Sequence, residues 1–479
     1  MKNIRLYILF PVFLLMGACT DDFQEINTNP NAPVNIQPEL LLRQVIYDYG
    51  EQMSYEGFVA GNLLGQYMTA IDFNLFDRHG LKNPQLGGNP WPIIYKNLLD
   101  NEQIIRIAES SETFKVYEGP ALIMKAYMTA ALTDIFGNVP YTEALNGQEG
   151  NVTPKFDDQQ EIYLGENGIL DNLERGIQSI KNYDGNLTLG GDILFEGDLN
   201  AWIQFANSLR IKALMRISDQ VNISEDLQRI FTEGDFISDN TMNATFDFTD
   251  GRPNNFRMAT LREGDYNLFI MSETMQEILE KYDDPRAEIL FRPAVNSGEF
   301  NGLRNGPDAS QISISVADYS LSGSIFRTNT SQLDANFMTS WETHFLLAEA
   351  AYKGYISADA KALYETAVSQ AYEYWHTNLP DDIFTTGNTA FGENGNDPLQ
   401  QIIEQKWLAN IINGYEGWIE WKRTGYPELK TVTASFNNNI IPVRMPYPSN
   451  EVTLNQEQLE KTSGNPSNDI NQRTWWDID

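Results

Sequence analysis

The 479-residue chain has one cysteine, three histidines and half as many basic as acidic residues, 33 Lys and Arg against 66 Asp and Glu, for a formal net charge of −33. Each scarcity excludes something. A single cysteine forbids an internal disulfide. His79, His344 and His376 lie far apart in sequence, and none pairs with a cysteine or a second histidine at metal-ligand spacing. The acidic balance argues against nucleic acid, whose phosphates would be repelled, and against docking on anionic lipid headgroups. Neutral ligands such as sugars are indifferent to it. Beyond the N-terminal segment, no stretch approaches the roughly eighteen uninterrupted apolar residues of a membrane span. A Gly-x-Ser-x-Gly elbow, a phosphate loop and a dinucleotide fingerprint are all missing, so no cofactor is expected. Asp247 to Gly251 and Glu393 to Asp397 are acidic loops. Neither follows the calcium-loop pattern, and each reads as a solvated turn.

The position of the one cysteine is informative. Lys2 and Arg5 make a basic start, Ile8 to Met16 form a short apolar run, and Gly17 and Ala18 lead to Cys19. That is a secretory signal with a lipobox-type end, which makes residues 1–18 a signal peptide and Cys19 the lipidated N-terminus of a bacterial lipoprotein. Several acyl chains hold a protein on a membrane at about 0.8 kcal/mol per buried methylene. Met16 is unusual three residues before such a cysteine, so ordinary secretion with an incidental cysteine, or a short membrane anchor, stays open. Residues 19–38, acidic and then rich in Asn and Pro, read as an extended tether.

Residues 39–69, 91–109, 116–136, 159–182 and 198–220 carry apolar positions at helical spacing, as do 337–354, 358–377 and 397–412. The chain is therefore expected to be mainly α. Residues 236–335 change character: they are rich in Asn, Ser, Gly and Arg and hold one clear helix, at 272–281. Their aromatic content argues for ordered loops laid over a scaffold. Residues 426–479 read as loop again. Leu347, Ala348, Ala360, Tyr364 and Ala367 fall at the small and large packing offsets of a tetratricopeptide repeat.

Several blocks then occur in order after the lipobox. They are Phe23 to Pro33 (FQEINTNPNAP), Asp134 to Ala144 (DIFGNVPYTEA), and Pro154, Phe156, Asp157, Gln159, Ile162 and Tyr163. Trp202 with Phe205 to Arg210 follows, then Asp284-Pro285-Arg286, Phe345 to Ala350 (FLLAEA) and Glu404 to Trp407. Glu416 to Pro427 (EGWIEWKRTGYP) and Pro442, Arg444, Tyr447, Pro448 and Glu451 complete the set. Together they resemble the SusD/RagB nutrient-binding outer-membrane lipoproteins over nearly the whole chain. The resemblance implies a scaffold of four tetratricopeptide-like helix pairs (about 39–235 and 336–425) and a packed loop-rich lobe (about 236–335 and 426–479), in one domain over 39–479. It also implies a partner, a SusC-like TonB-dependent outer-membrane barrel, and an oligosaccharide ligand, with peptides taken by some relatives. Most of the matching residues read as structural: Arg210 pairing within the helix layer, Asp284 and Arg286 as an ion-paired turn, Trp202, Trp407, Trp418 and Trp421 as core.

A sugar binder needs exposed aromatic planes for C–H faces and polar groups for hydroxyls. The 70–91 loop supplies Phe73, Asn74, Phe76 and Trp91, and the middle region supplies Arg257, Tyr266 and Tyr319. Against this stands packing: Phe73 and Phe76 anchoring the loop, and Trp91 turning inward at a helix start. The ligand is expected between the 70–91 loop and either the 254–266 or the 318–326 segment. Two other classes stay open, a surface glycoside hydrolase, which needs only a carboxylate pair, and a peptide-binding or scaffolding lipoprotein.

Overall fold

The computed structural model describes residues 37–82, 86–462 and 464–477; Cys19 and the signal-peptide reading lie outside them. Helix boundaries follow local chemistry. Helices α1 (Pro38–Glu56) and α2 (Pro90–Ser110) begin on proline, whose missing N–H is not needed at that position. Helix α3 (Glu118–Phe136) stops at Gly137, which takes a φ of 78°. Helix α4 (Ile169–Lys181) leads to α5 (Leu199–Arg216), where the Asp198 carboxylate accepts the N–H groups of Asn200 and Ala201. Then come α6 (Ser224–Glu233), α7 (Glu273–Tyr282), α8 (Ser340–Tyr352), α9 (Ala360–Tyr374), α10 (Pro398–Ala409) and α11 (Gly414–Thr424). Side-chain caps at Ser272, Thr339, Asp359 and Asp397 open α7 through α10.

Helices α1 to α5 each pack on the next; α5 packs on α8, and α8 on α9 and α10. This is the expected mainly α scaffold of paired helices. In the α8–α9 pair Leu347, Ala348, Tyr364 and Ala367 have no exposed surface, and the Tyr364 hydroxyl donates to the Thr389 carbonyl at 3.1 Å. The small alanines allow close approach and the phenol fills the gap.

Among the described residues there are also eight short strands: β1 (Met68–Ala70), β2 (Val139–Pro140), β3 (Phe156–Asp157), β4 (Ala244–Asp247), β5 (Phe269–Met271), β6 (Phe291–Arg292), β7 (Leu321–Ser322) and β8 (Asp334–Met338). They form one sheet in the order β1-β5-β7-β6 and two ribbons, β2-β3 and β4-β8. Three expectations need adjusting. Residues 426–479, read as loop, hold two short helices, Ser449–Leu454 and Gln456–Lys461. The predicted helix over 159–182 is two, Gln159–Leu164 and α4, because Gly165 takes an extended conformation between them. Helix α6 was not expected: it is short and buries only Leu227 and Ile230, too few positions to establish a period.

Past α1 the chain makes one π-helical turn, Gly57–Gly61, against the start of α11. A Cβ on Gly61 would sit 2.2 Å from the Tyr415 nitrogen, and one on Gly414 would sit 2.3 Å from the Asn62 nitrogen. The two backbones meet where no side chain fits.

Behind that seam lies a buried ion network. Arg216 faces Asp134 at 3.2 Å and Glu416 at 2.5 Å, and also bonds Glu420. Arg423 grips Glu349 with two bonds of 2.6 Å and Glu420 with one of 2.7 Å. Lys406 completes Glu420, Lys212 bridges Glu342 and Glu416, and Lys353 reaches Glu349. Burial opposes ionisation of Glu420, but Arg423, Lys406 and Arg216 outweigh it and hold the carboxyl well below its ordinary range. Removing one member of such a set leaves buried charge without a counterion, at a cost of about 3–5 kcal/mol. Arg216→Leu is therefore expected to lower the urea-unfolding free energy by about that amount; a loss under about 1 kcal/mol, the range of an exposed pair, would contradict the network's role.

Candidate functional site

The segment after β1 is pinned by a carboxylate. Asp77 is buried, and its Oδ2 accepts from the Thr69 hydroxyl at 2.6 Å, the Gly306 N–H at 2.7 Å and the Ala70 N–H at 3.2 Å. Its Oδ1 accepts from the Asn305 amide at 2.6 Å. Burial pushes its pKa up to about 6, against the pull of those hydrogen bonds. Asp77 thus ties the 70–82 loop to the 303–312 loop.

A third loop joins from the C-terminal region. Thr433 and Ala434 donate their N–H groups to the carbonyls of Asn305 and Gly306 at 2.8 and 2.9 Å, and Phe436 donates to Arg78 at 2.7 Å. Arg78 returns a bond to the Ala434 carbonyl at 2.8 Å, pairs with Asp308 at 3.3 Å, and lays its guanidinium 4.2 Å from the centre of the Phe436 ring. Below, Gln66 exchanges bonds with the Lys430 backbone at 2.6 and 2.9 Å. His79, whose pKa burial lowers to about 4, is neutral beneath this loop and bonded to the Ile440 backbone.

On this base the apolar groups point outward. Phe73 is 45% exposed, Ile312 47%, Phe436 55% and Ile440 51%. Scattered apolar residues on a surface are ordinary, but a group of them on three mutually bonded loops makes this face the candidate site. Phe73 also holds a left-handed φ of 50°, rare for a bulky residue and characteristic of functional loops. Polar groups interleave: Asp72, Asn438 and Asn439 are exposed, and Asp308 is bonded to Ser310 and Gln311. The arrangement offers ring faces and hydrogen-bonding groups side by side, the chemistry that a neutral polyol requires.

The residues expected from sequence divide sharply. Phe73 stands on the platform, and Asn74 supports it by donating to the carbonyls of Ala70 and Pro307 at 3.0 and 2.6 Å. Phe76, Trp91 and Tyr266 are corrections, being 3%, 8% and 2% exposed. Phe76 lies under Gly88. Trp91 packs edge-on against Phe136 with ring centres 4.9 Å apart, and the Tyr266 hydroxyl donates to the Gly323 carbonyl at 2.6 Å. Buried rings present no face to a ligand. Arg257 is exposed but lies over Tyr55, 4.5 Å from the ring centre. Tyr319 is half-buried beyond β6 and β7. Among the described residues, no hydrogen bond or ring contact joins either one to Phe73. The partners of the 70–91 loop are thus 303–312 and 430–440, rather than 254–266 or 318–326.

Phe436 is the residue that sequence reasoning missed. Its signal is the Asn437-Asn438-Asn439 run beside an aromatic, two of whose asparagines take left-handed φ values. Of the acidic loops, Asp247 opposes Asp334 across the β4–β8 ribbon, and burial together with that neighbour pushes Asp334 up to about 7. Asp397 caps α10.

The family model described as "Starch-binding associating with outer membrane" matches residues 30–448. The chain belongs to the SusD-like family. No functionally curated protein matches it in sequence. Among solved structures, a chitin-binding protein is similar at 24% identity with a TM-score of 0.78, over 92% of this chain and all of the other. A SusD homologue from Parabacteroides distasonis gives 21% and 0.79, covering 92% and 98%, and a chitin-binding SusD homologue from Flavobacterium johnsoniae 20% and 0.74, also covering 92% and 98%. At these identities the likeness establishes the SusD-like fold.

Within that fold, Asp77 is the hub of the platform. Asp77→Ala would strand four donors, at a cost of about 2–4 kcal/mol. It is expected to raise amide hydrogen exchange in 303–312 and 430–436 with the helices unchanged; unaltered exchange in both loops would show that the platform holds without it.

Proposed function

We propose that this SusD-like protein captures neutral oligosaccharides at the cell surface, without cleaving them, and hands them to a SusC-like TonB-dependent outer-membrane barrel. The observation that carries the reading is the pair of exposed rings, Phe73 and Phe436, on a base fixed by Asp77, Arg78 and Gln66. The net charge of −33 suits an uncharged ligand. Binding without chemistry fits the nearby carboxylates, which are committed elsewhere: Asp77 to four donors, Asp308 to Arg78 and its own turn, Asp72 to the Phe73 N–H at 2.7 Å. The barrel partner rests on family membership. Chito-oligosaccharides are the first ligands to try, because two similar structures are chitin-binding proteins.

The same reading assigns residues 1–18 to a signal peptide, lipid to Cys19, and 19–38 to a tether placing the domain of 39–479 on the outer face of the outer membrane. Within it the helical scaffold (about 39–235 and 336–425) carries the lobe of 236–335 and 426–479. Among the described residues no helix is long and apolar enough to cross a membrane.

A glycan panel including chito- and malto-oligosaccharides is expected to yield a ligand that leaves no new reducing ends. Calorimetry with that ligand should show Phe73→Ala and Phe436→Ala each weakening binding roughly fivefold to tenfold, the worth of one aromatic contact. Unchanged affinity in the double variant, or turnover of the glycan, would refute the proposal. Separately, mass spectrometry of the native protein is expected to find fatty acid on Cys19; an unacylated Cys19 would rule out the lipid anchor.

A further inference from the structure

The helical scaffold holds a chamber of about 80 Å³ between α1, α3, α5 and α11, with β8 along one side. It is distinct from the loop platform. Gly50, Ala126, Ala130 and Ala213 keep its walls short, and Leu209 and Ile419 make them apolar. Met53, Ser54 and Asn413 in the wall are only half-buried, which gives the chamber a mouth. By the space one ordered water needs, it has room for about six small atoms.

Its polar groups are unusual. Tyr49 and Tyr127 meet edge to face, ring centres 5.6 Å apart. Tyr49 is 2% exposed and Tyr127 is half-buried; both line the chamber, and among the described residues no protein group hydrogen-bonds either hydroxyl. Neither hydroxyl is among the fully enclosed polar atoms that lack a partner, so both are open to the chamber and available to bond what enters it. Lys212, also in the wall, directs its ammonium to Glu342 and Glu416 at 2.8 and 3.0 Å, which leaves one of its three donors over. A guest that accepts hydrogen bonds matches these donors. It must also be neutral, because Lys212 and Arg216 are already matched by Asp134, Glu342 and Glu416 and a charged guest would be buried without a counterion.

We propose that this chamber is a second binding site, which takes a small neutral molecule with an apolar body and one hydrogen-bond-accepting oxygen, of the size of a cyclic alcohol or a phenol. The apolar walls desolvate the body, and the two phenols and the spare Lys212 donor hold the oxygen.

The test uses cyclohexanol and phenol as probes, with cyclohexanecarboxylate as the charged control. The neutral probes are expected to raise the melting temperature dose-dependently, by roughly 1–2 °C at ten times the dissociation constant, while the carboxylate does not. Tyr49→Phe with Tyr127→Phe should weaken the neutral probes at least fivefold, and Ala130→Leu, which fills the chamber, should abolish the effect. Should Ala130→Leu fail to fold, the phenylalanine pair and density for the probe in soaked crystals decide. No thermal shift, undiminished binding in the phenylalanine pair, ordered water alone in the soaked chamber, or a shift that disappears instead in Phe436→Ala would each overturn the proposal. Because the glycan titration reads the platform and this one reads the chamber, either can fail alone.

Discussion

The fold depends on a charge-balanced network sealed inside the helix layers. Lys212, Arg216, Lys353, Lys406 and Arg423 face Asp134, Glu342, Glu349, Glu416 and Glu420. Nine of those residues come from α3, α5, α8, α10 and α11, elements far apart in the chain, and Lys353 directly follows α8. Hydrophobic contact alone would let these helices slide, since one apolar face packs on another in many registers. An Arg423–Glu349 pair with two matched bonds admits one register. Breaking any pair strands a charge, so the network enforces a single arrangement even where its net contribution to stability is small.

The arrangement extends to the platform through α11. Glu416 belongs to the network, and its neighbour Tyr415 points the other way, its hydroxyl 3.5 Å from Glu56 at the end of α1. The same Glu56 oxygen accepts the N–H groups of Gly88 and Asn89 at 2.6 and 3.1 Å, which fixes the returning end of the 70–91 loop. The glycine seam at Gly61 and Gly414 makes this reach possible by letting the two backbones touch. Asp77 fixes the outgoing end. A loop tied at both ends to a rigid layer loses little entropy when a ligand arrives, so its contacts translate into affinity with small ordering losses.

This organisation explains what the sequence reveals and what it conceals. Asp134, Glu349, Lys406, Glu416, Glu420 and Arg423 all lie within the blocks that carry the family resemblance, because a buried network tolerates few substitutions and leaves a readable pattern. Arg286 behaves alike: it bonds Asp284 and Gln405 at 2.6 Å from within the core, as the ion-paired turn suggested. Trp202, Trp407 and Trp418 are buried, as their helical faces implied. The platform is less legible. Whether an aromatic in a loop faces solvent or core is decided by tertiary packing, and local sequence around Phe73 and Phe76 is nearly the same: both sit among Asn, Asp and Leu. Only the fold separates the exposed ring from the buried one three residues later. Phe436 lies more than three hundred residues from the loop it completes, so no local pattern could bring the two together.

The platform's openness sets the strength of what it holds. Two exposed rings contribute about 0.5–1.5 kcal/mol each beyond their buried area, and hydrogen bonds to solvent-exposed groups such as Asn438 and Asn439 add about 1 kcal/mol apiece at most. Against these stand several kilocalories of lost translational and rotational freedom. These few contacts fall well short of the roughly 12 kcal/mol of a nanomolar complex. Under the proposed reading, in which the ligand is released to a second protein, weak binding is the working condition. Dissociation governs most differences in affinity, and a nanomolar complex at ordinary association rates would persist too long for repeated handover. An enclosed pocket lined by buried Phe76, Trp91 and Tyr266 would have bound more tightly. Burying those rings and exposing Phe73 and Phe436 leaves an open surface, as the proposed capture and release requires.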